Sequence, residues 1–356
     1  MSRRIRRILL VCNNYDTFSL EEDGRIEPKI SREYLELNLS NQPSFVRAES
    51  TIEALEMAER GERFDLIITM YNVGELNVFD FSRKMKEIDP NTPIVLLCSY
   101  SKEIYRQISE ADSSALDYVF CWNNSTDLII AIVKLLEDKL NAPHDVLQVG
   151  VQAILLVEDS VRYYSTYLPM LYKIILQQNS ASASEALNEQ QQALRKRSRP
   201  KILMATNYED AVELYSQYKD NLLGVISDIG FVLHKGDPMS SEKLDAGVDL
   251  CKLIRADNPR MPILMQSSQE SMREVAKELG VGFVMKQSKI LTQAISDYIS
   301  SEFGFGDFVL HNKTTGEEIA RASDLLGLER IIRTISDDEL RNLAKTNYMS
   351  KWLKAR

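Results

Sequence analysis

The sequence predicts a doubly wound α/β protein with two five-stranded parallel sheets, one after the other in the chain. Three observations lead there. Short, continuous apolar runs alternate with amphipathic stretches, the pattern of parallel strands covered by helices. Five such β/α steps occur, and then five more, so the chain repeats itself with a period of about 145 residues. No apolar stretch approaches the roughly 20 residues that a membrane-spanning helix needs.

In the first copy, Ile8–Val11 is a buried strand, and the basic-then-apolar start leads into polar Asn13 and Asn14 instead of a cleavage site. Ser44–Arg47 is a weaker strand, and Thr51–Arg60 a helix that opens with a Thr cap. Asp65–Met70, Pro93–Cys98 and Tyr118–Cys121 complete the strands, and Thr126–Leu140 is the closing amphipathic helix. The joint is expected near Asn141–Gly150, where Pro143, His144 and Gly150 break the pattern.

The second copy runs through strands Ala153–Val157, Lys201–Met204, Leu222–Ser227, Pro262–Gln266 and Gly282–Met285. Helices are expected at Arg162–Gln177, Tyr208–Lys219, Val248–Ala256, Glu270–Leu279 and Ile290–Phe303. Two insertions enlarge it: 178–200, whose middle has helix-forming composition, and 231–246, a polar loop with Gly236-Asp237-Pro238. Domains are therefore expected at 1–143 and 150–303. Residues 304–356 add a small α+β extension, with a hairpin turning near Thr315-Gly316 and helices near Arg321–Ile335 and Asp337–Trp352. That tail is too short to bury a full core alone and is expected to pack on the second domain or to lead onward.

Composition narrows the function. A net charge of −9 makes nucleic acid a poor partner, since its backbone rewards a basic surface. The four cysteines are widely spread, with no CxxC pair, which fits a reducing cytoplasm. His144, His234 and His311 have no metal spacing, and the basic run 195–200 reads as a solvated face.

The chemistry gathers in the second copy. In an open parallel sheet, ligands bind beyond the carboxyl ends of the strands. There the sequence places Glu158-Asp159 after the first strand, Asp228 after the third, Ser267-Ser268 after the fourth and Lys286 after the fifth. Adjacent carboxylates repel each other, and a divalent cation resolves the conflict; hard oxygen ligands suit Mg²⁺. A metal, an amine and a hydroxyl around one carboxylate suit phosphoryl transfer.

This constellation resembles the response-regulator receiver family, over roughly 150–303, with Gly247 where the family opens its third helix on a glycine. The resemblance implies a flavodoxin-like (βα)₅ fold. Asp228 would accept a phosphoryl group from a histidine kinase, a phosphotransfer protein or a small phosphodonor. Asp159, Asp228 and the Gly230 carbonyl would hold Mg²⁺, with Glu158 acting through water. Lys286 would pair with the phosphoryl group, Ser267 would hydrogen-bond it, and Ser267 and Phe283 would switch. Two departures stand out: Gln287 replaces the proline that usually follows the lysine, and the loop after Asp228 is about 15 residues longer than the family's.

Laid on the second copy, the first loses every chemical position. The strand-one acids become Cys12-Asn13, the acceptor Met70, the hydroxyl Cys98 and the lysine Cys121. The expectation is a degenerate receiver used for packing or partner binding. Cys12, Met70, Cys98 and Cys121 are expected at one sheet edge. Apolar filling of a vacated pocket is the plain reading; soft-metal binding or response to oxidants is the other.

The leading expectation is thus a cytoplasmic phosphorelay switch, not an enzyme, that acts on an output domain or a second copy. The alternative is a non-phosphorylated scaffold or oligomerisation module. The tail more loosely resembles the connector of phosphoenolpyruvate-synthase-like proteins, which would make the chain the regulatory front end of an enzyme. A Mg²⁺-dependent phosphatase is disfavoured, because its DxD arrangement is absent after Val157.

Overall fold

The computed structural model describes residues 3–355 apart from 14–25, 38, 40, 100–106, 109–110, 123–124, 185–197, 313–314 and 346–347. Residues 185–197 of the 178–200 insertion therefore lie outside the described residues, and in the described end of its basic run Arg199 is buried, not solvated.

The first sheet holds β1 (Arg7–Val11), β2 (Ser44–Ala48), β3 (Leu66–Met70), β4 (Ile94–Cys98) and β5 (Tyr118–Cys121), in the order β2-β1-β3-β4-β5. The second holds β6 (Ala153–Val157), β7 (Lys201–Ala205), β8 (Leu222–Asp228), β9 (Ile263–Ser267) and β10 (Gly282–Met285), in the equivalent order β7-β6-β8-β9-β10. All pairings in both are parallel. Two sheets wound 2-1-3-4-5 define two flavodoxin-like α/β folds. The central strands β3, β4, β6, β8 and β9 are buried along their whole length, which is why they read as unbroken apolar runs.

The helices are α1 (Ile26–Glu36), α2 (Thr51–Glu59), α3 (Val78–Ile88), α4 (Thr126–Asp145), α5 (Val161–Ser184), α6 (Tyr208–Tyr218), α7 (Ala246–Asp257), α8 (Met272–Glu278) and α9 (Leu291–Glu302). The cap of α2 is Ser50, whose side chain accepts from the Glu53 N–H; Thr51 is already inside the helix and buried. Asn77 and Asn207 cap α3 and α6 in the same way.

The chain groups into two compact units. One is Met1–Asn141 with Ser160–Lys173 and Gly236–Ser240; the other is Ala142–Asp159, Ile174–Lys235 and Ser241–Arg356. Two expectations change here. The joint near Asn141–Gly150 is helical as far as Asp145, with Pro143 inside α4. Helix α5 is longer than its pattern suggested, and its first part belongs to the first unit. There it covers the edge of the sheet: Ser165 Oγ accepts from the Cys121 N–H at 2.9 Å, and the Tyr164 hydroxyl donates to the Val119 carbonyl.

In the second unit, Lys201 is fully buried and pairs with Asp145 at 3.0 Å, so the first residue of β7 carries a charge into the core only with its counter-ion. Phe303, buried just after α9, occupies the space a side chain at Gly224 would take. The tail adds β11 (Phe308–His311) and β12 (Glu318–Ala322), an antiparallel hairpin, then α10 (Leu325–Thr334), α11 (Asp337–Ala344) and α12 (Tyr348–Lys354). It has a small core of its own around Phe308, Leu328, Ile331, Leu343 and Trp352. Among the described residues, no helix is long and apolar enough to cross a membrane.

Candidate functional site

The site lies at the carboxyl edge of the second sheet, where the strand order reverses between β6 and β8. Strand β6 pairs with β7 on one side and β8 on the other, with Val157 beside both Ala205 and Ser227. Glu158 follows at once, its N–H bonded to the Ala205 carbonyl at 3.1 Å. Asp228 is the last residue of β8, and its Oδ1 accepts from the Ile229 N–H at 2.7 Å. Strand pairing thus aims two acids at one point with no freedom left in the backbone.

Carboxylate oxygens of Glu158, Asp159 and Asp228 all lie within 4.8 Å of one another. Lys286 follows β10, with its N–H on the Ser267 carbonyl at 2.9 Å, and its buried ammonium donates to Glu158 at 2.9 Å and to Asp228. The lysine thus pairs with two of the three acids and leaves Asp159 without it. Burial and the neighbouring Asp228 push Glu158 well above the usual carboxylate range, although Lys286 opposes this. Burial, then Asp228, then Glu242 push Asp159 up to about 7, and Asp159 Oδ2 is buried without a hydrogen bond. Lys286 is desolvated, but its two carboxylate partners outweigh that and raise its pKa.

The donor set fits a hard divalent cation. Oxygen ligands crowd together, net negative charge remains after Lys286, and a buried carboxylate oxygen lacks a partner. Glu158, Asp159 and Asp228 would hold the ion, and Asp228 retains an edge toward solvent, at 8% exposure.

Ser267 ends β9 one residue beyond the Asp228↔Gln266 pair, and its Oγ accepts from the Gln269 N–H at 3.0 Å. Gln266 is wholly buried beside Asp228, with neither end of its amide hydrogen-bonded. Phe283 pairs in register with Met265, and the Arg273 guanidinium stacks over its ring at 4.9 Å. Gly247 has a concrete reason to be glycine: a Cβ there would stand 2.1 Å from the Asp228 carbonyl oxygen. Helix α7 thus touches the acceptor strand through bare backbone.

One residue escaped the sequence reading. In the long loop after Asp228, Phe231 and Lys243 pair through both backbone groups and fold the loop back on its own base. That return sets the Glu242 carboxylate against Gly230, 2.3 Å from where a Cβ would be. Its acidity is weakened by burial and then by Asp228, so it is a fourth acid at the rim. Nothing in its local sequence marks it; only the loop's length does.

The first sheet repeats this backbone with other side chains. Cys12 follows β1 as Glu158 follows β6, with its N–H on the Ala48 carbonyl at 3.1 Å. Asn13 donates its side-chain amide to the Asn72 carbonyl at 3.0 Å. Met70 ends β3 beside Leu97, and Cys98 ends β4 beside Cys121. The residue whose N–H reaches the Cys98 carbonyl is Trp122, at 2.9 Å. Trp122, not Cys121, therefore stands where Lys286 stands, and Cys121 corresponds to Met285. The same register divides the sulfur residues. Met70 shares a face with Leu97, whereas Cys98 and Cys121 share the other face, so the four stand at one edge but on two faces of the sheet. Among the described residues, the first sheet has no counterpart of the three-acid group.

No protein-family model matches the chain, and no curated protein matches it. Solved structures do. The Francisella response regulator 1452 receiver domain matches at 18% identity and TM-score 0.29, over 38% of this chain and 98% of its own. The receiver domain of AraT, a response regulator from Geobacillus stearothermophilus, matches at 18% and 0.29, over 39% and 98%. The phosphorylated cyanobacterial phytochrome response regulator RcpA matches at 19% and 0.27, over 38% and 92%. These neighbours are response-regulator receivers. Each spans less than half of the present chain, and the fold stated above rests on its own strand order and register.

Proposed function

We propose that the second fold is a phosphoacceptor switch of a phosphorelay, with Asp228 as the acceptor and Mg²⁺ as its cofactor. The observation that carries this is the grouping of Glu158, Asp159 and Asp228 within 4.8 Å around a single buried lysine. Such a site is costly to build and serves no packing purpose.

The Asp228 carboxylate attacks the phosphorus of a phosphohistidine or a small acyl phosphate. An acyl phosphate forms on Asp228, and the imidazole or carboxylate departs with the bonding pair. Lys286, already bonded to Asp228, stays beside the incoming phosphoryl oxygens and offsets their charge. A divalent cation, when bound, offsets the charge on the transferring group. Ser267, at the end of the neighbouring strand, is the hydroxyl that turns toward the phosphoryl group, and Phe283 on the outer strand repacks with it. The Gly230 carbonyl, two residues past Asp228, would be a further oxygen ligand for that ion. The first fold lacks all of this and acts as a packing or partner-binding unit. The partners are a histidine kinase or phosphotransfer protein upstream, and an output domain or a second copy downstream.

Intact-protein mass spectrometry with Mg²⁺ and acetyl phosphate tests the reading. Wild type gains one phosphoryl group, Asp228→Asn gains none, and the adduct is lost to hydroxylamine. A wild-type protein that binds Mg²⁺ yet stays unlabelled by acetyl phosphate and by beryllofluoride would leave the scaffold reading in its place.

A further inference from the structure

The vacated edge of the first sheet carries a different chemistry. Cys98 and Cys121 end adjacent parallel strands and are paired in register, so their side chains leave the sheet on the same face. Neighbouring strands lie about 4.8 Å apart, inside the span of roughly 4.4–6.8 Å that a disulfide bridges between Cα atoms. Cys98 Sγ donates to the Phe120 carbonyl at 3.6 Å, with Cys121 beside it on the next strand. They sit in an apolar pocket with Val78, Leu96 and Ile108, and each keeps a small opening, 5% of Cys98 and 8% of Cys121.

The two sulfurs are not equivalent. The Cys98 thiol, beside the Cys121 sulfur and buried, is pushed up. The adjacent Cys98 thiol pulls Cys121 below the ordinary thiol value against burial, and Arg162 in the first turn of α5 pulls the same way. Two thiols paired in register, of which Cys121 is the more readily ionised, have the arrangement of an attacking cysteine with its resolving partner. Cys251 is the contrast: it is buried within α7, and desolvation raises its pKa.

We propose that Cys98 and Cys121 form a reversible dithiol site, oxidised by a hydroperoxide to an internal disulfide between β4 and β5. The Cys121 thiolate attacks the peroxide O–O bond and becomes a sulfenic acid, and the leaving oxygen departs as water or an alcohol after taking a proton. The Cys98 sulfur then displaces the sulfenic hydroxyl, which leaves as water with the Cys98 proton. The peroxide gains two electrons and the cysteine pair loses them. The bond ties together two strand ends that correspond to Ser267 and Met285 of the acidic site. The first fold would thereby respond to an oxidant while the second responds to phosphorylation.

The test uses the full chain, treated with hydrogen peroxide, quenched, denatured and alkylated. Untreated protein takes four alkyl groups, one for each cysteine, and treated protein takes two. Before alkylation it is about 2 Da lighter, and peptide mapping joins Cys98 to Cys121. The Cys98→Ser variant stops at a sulfenic acid on Cys121 that dimedone traps, and Cys121→Ser gives no fast reaction. Cys121 should react at least ~10-fold faster than Cys251 in the same molecule, so the comparison needs no correction for folding. Equal rates at the two, or a first disulfide elsewhere, overturns the proposal.

Discussion

The strand ending at Met70 and the strand ending at Asp228 are the same piece of backbone. In both, the preceding hydroxyl residue, Thr69 or Ser227, donates to the next carbonyl, at 3.1 Å and 2.7 Å. Both flank the strand that precedes them by two, through the pairs Val11↔Thr69 and Val157↔Ser227. What differs is the load on the strand ends. The second sheet carries three acids and a lysine into a nearly closed pocket, and the first carries sulfur and an indole. The register persists because it is fixed by packed apolar runs, which the end residues do not enter. The fold thus leaves its carboxyl edge free to change chemistry without moving a strand.

The largest expected contrast comes from moving the acceptor. Met70→Asp should gain no phosphoryl group from acetyl phosphate, although its backbone matches that of Asp228. Without acids at 12–13 or an amine at 122, a lone carboxylate has nothing to offset the incoming charge. Labelling of Met70→Asp in an Asp228→Asn background, read by intact mass, would break the comparison.

Next comes Lys286→Met. It strands Glu158 and Asp228 as buried carboxylates and should cost about 3–5 kcal/mol in chelator. Mg²⁺ should return part of the loss, visible as a larger rise in urea midpoint than wild type shows. A loss that Mg²⁺ does not touch would mean the three acids do not share an ion.

The pH dependence is smaller, and its sign is fixed. Asp159 holds its proton to about 7 in the folded protein and releases it near 3.8 when unfolded. Between those values the native state binds more protons, so metal-free stability falls as pH rises and flattens above about 7, a change on the order of a few kcal/mol. Mg²⁺ competes with that proton, so its affinity, read by calorimetry, should climb through the same window. No matching component should come from 12–13, where no carboxylate stands.

Smallest is Gly247→Ala. Its methyl would meet the Asp228 carbonyl and the Ile229 Cα, and the helix must back away at a cost of about 1–3 kcal/mol. The phosphorylation rate should fall more than the stability does, since the group displaced is the acceptor's own peptide. Thermal melts and labelling rates on one preparation separate the two effects.

How much of this could be read from the sequence depended on the kind of signal. Most of the ten sheet strands were legible because buried parallel strands are unbroken apolar runs, and the acids, Ser267 and Lys286 were legible because they stand at or just past the carboxyl ends of those runs. The slip at Cys121 has the same origin. A strand's last residue is uncertain by one, and in a sheet one residue is also a change of face, so Trp122 was missed and the sulfur cluster overcounted. Pro143 was read as a break, yet it sits in the last turns of α4. Glu242 had no periodicity to mark it, because a backbone pair between Phe231 and Lys243, the residue next to it, places it beside Gly230.

The cover over β5 has a consequence for how the protein is made. The carbonyl of Val119 and the N–H of Cys121 find their partners on Tyr164 and Ser165, some forty residues downstream and past the first strand of the next sheet. As the chain leaves the ribosome, amino end first, the earlier sheet waits with that margin bare until α5 has emerged. A fragment cut at residue 143 would keep the bare margin for good, a template for strand-to-strand stacking between copies. In the full chain α5 closes that margin, and the difference should show on a sizing column as aggregate that the fragment forms and the full chain does not.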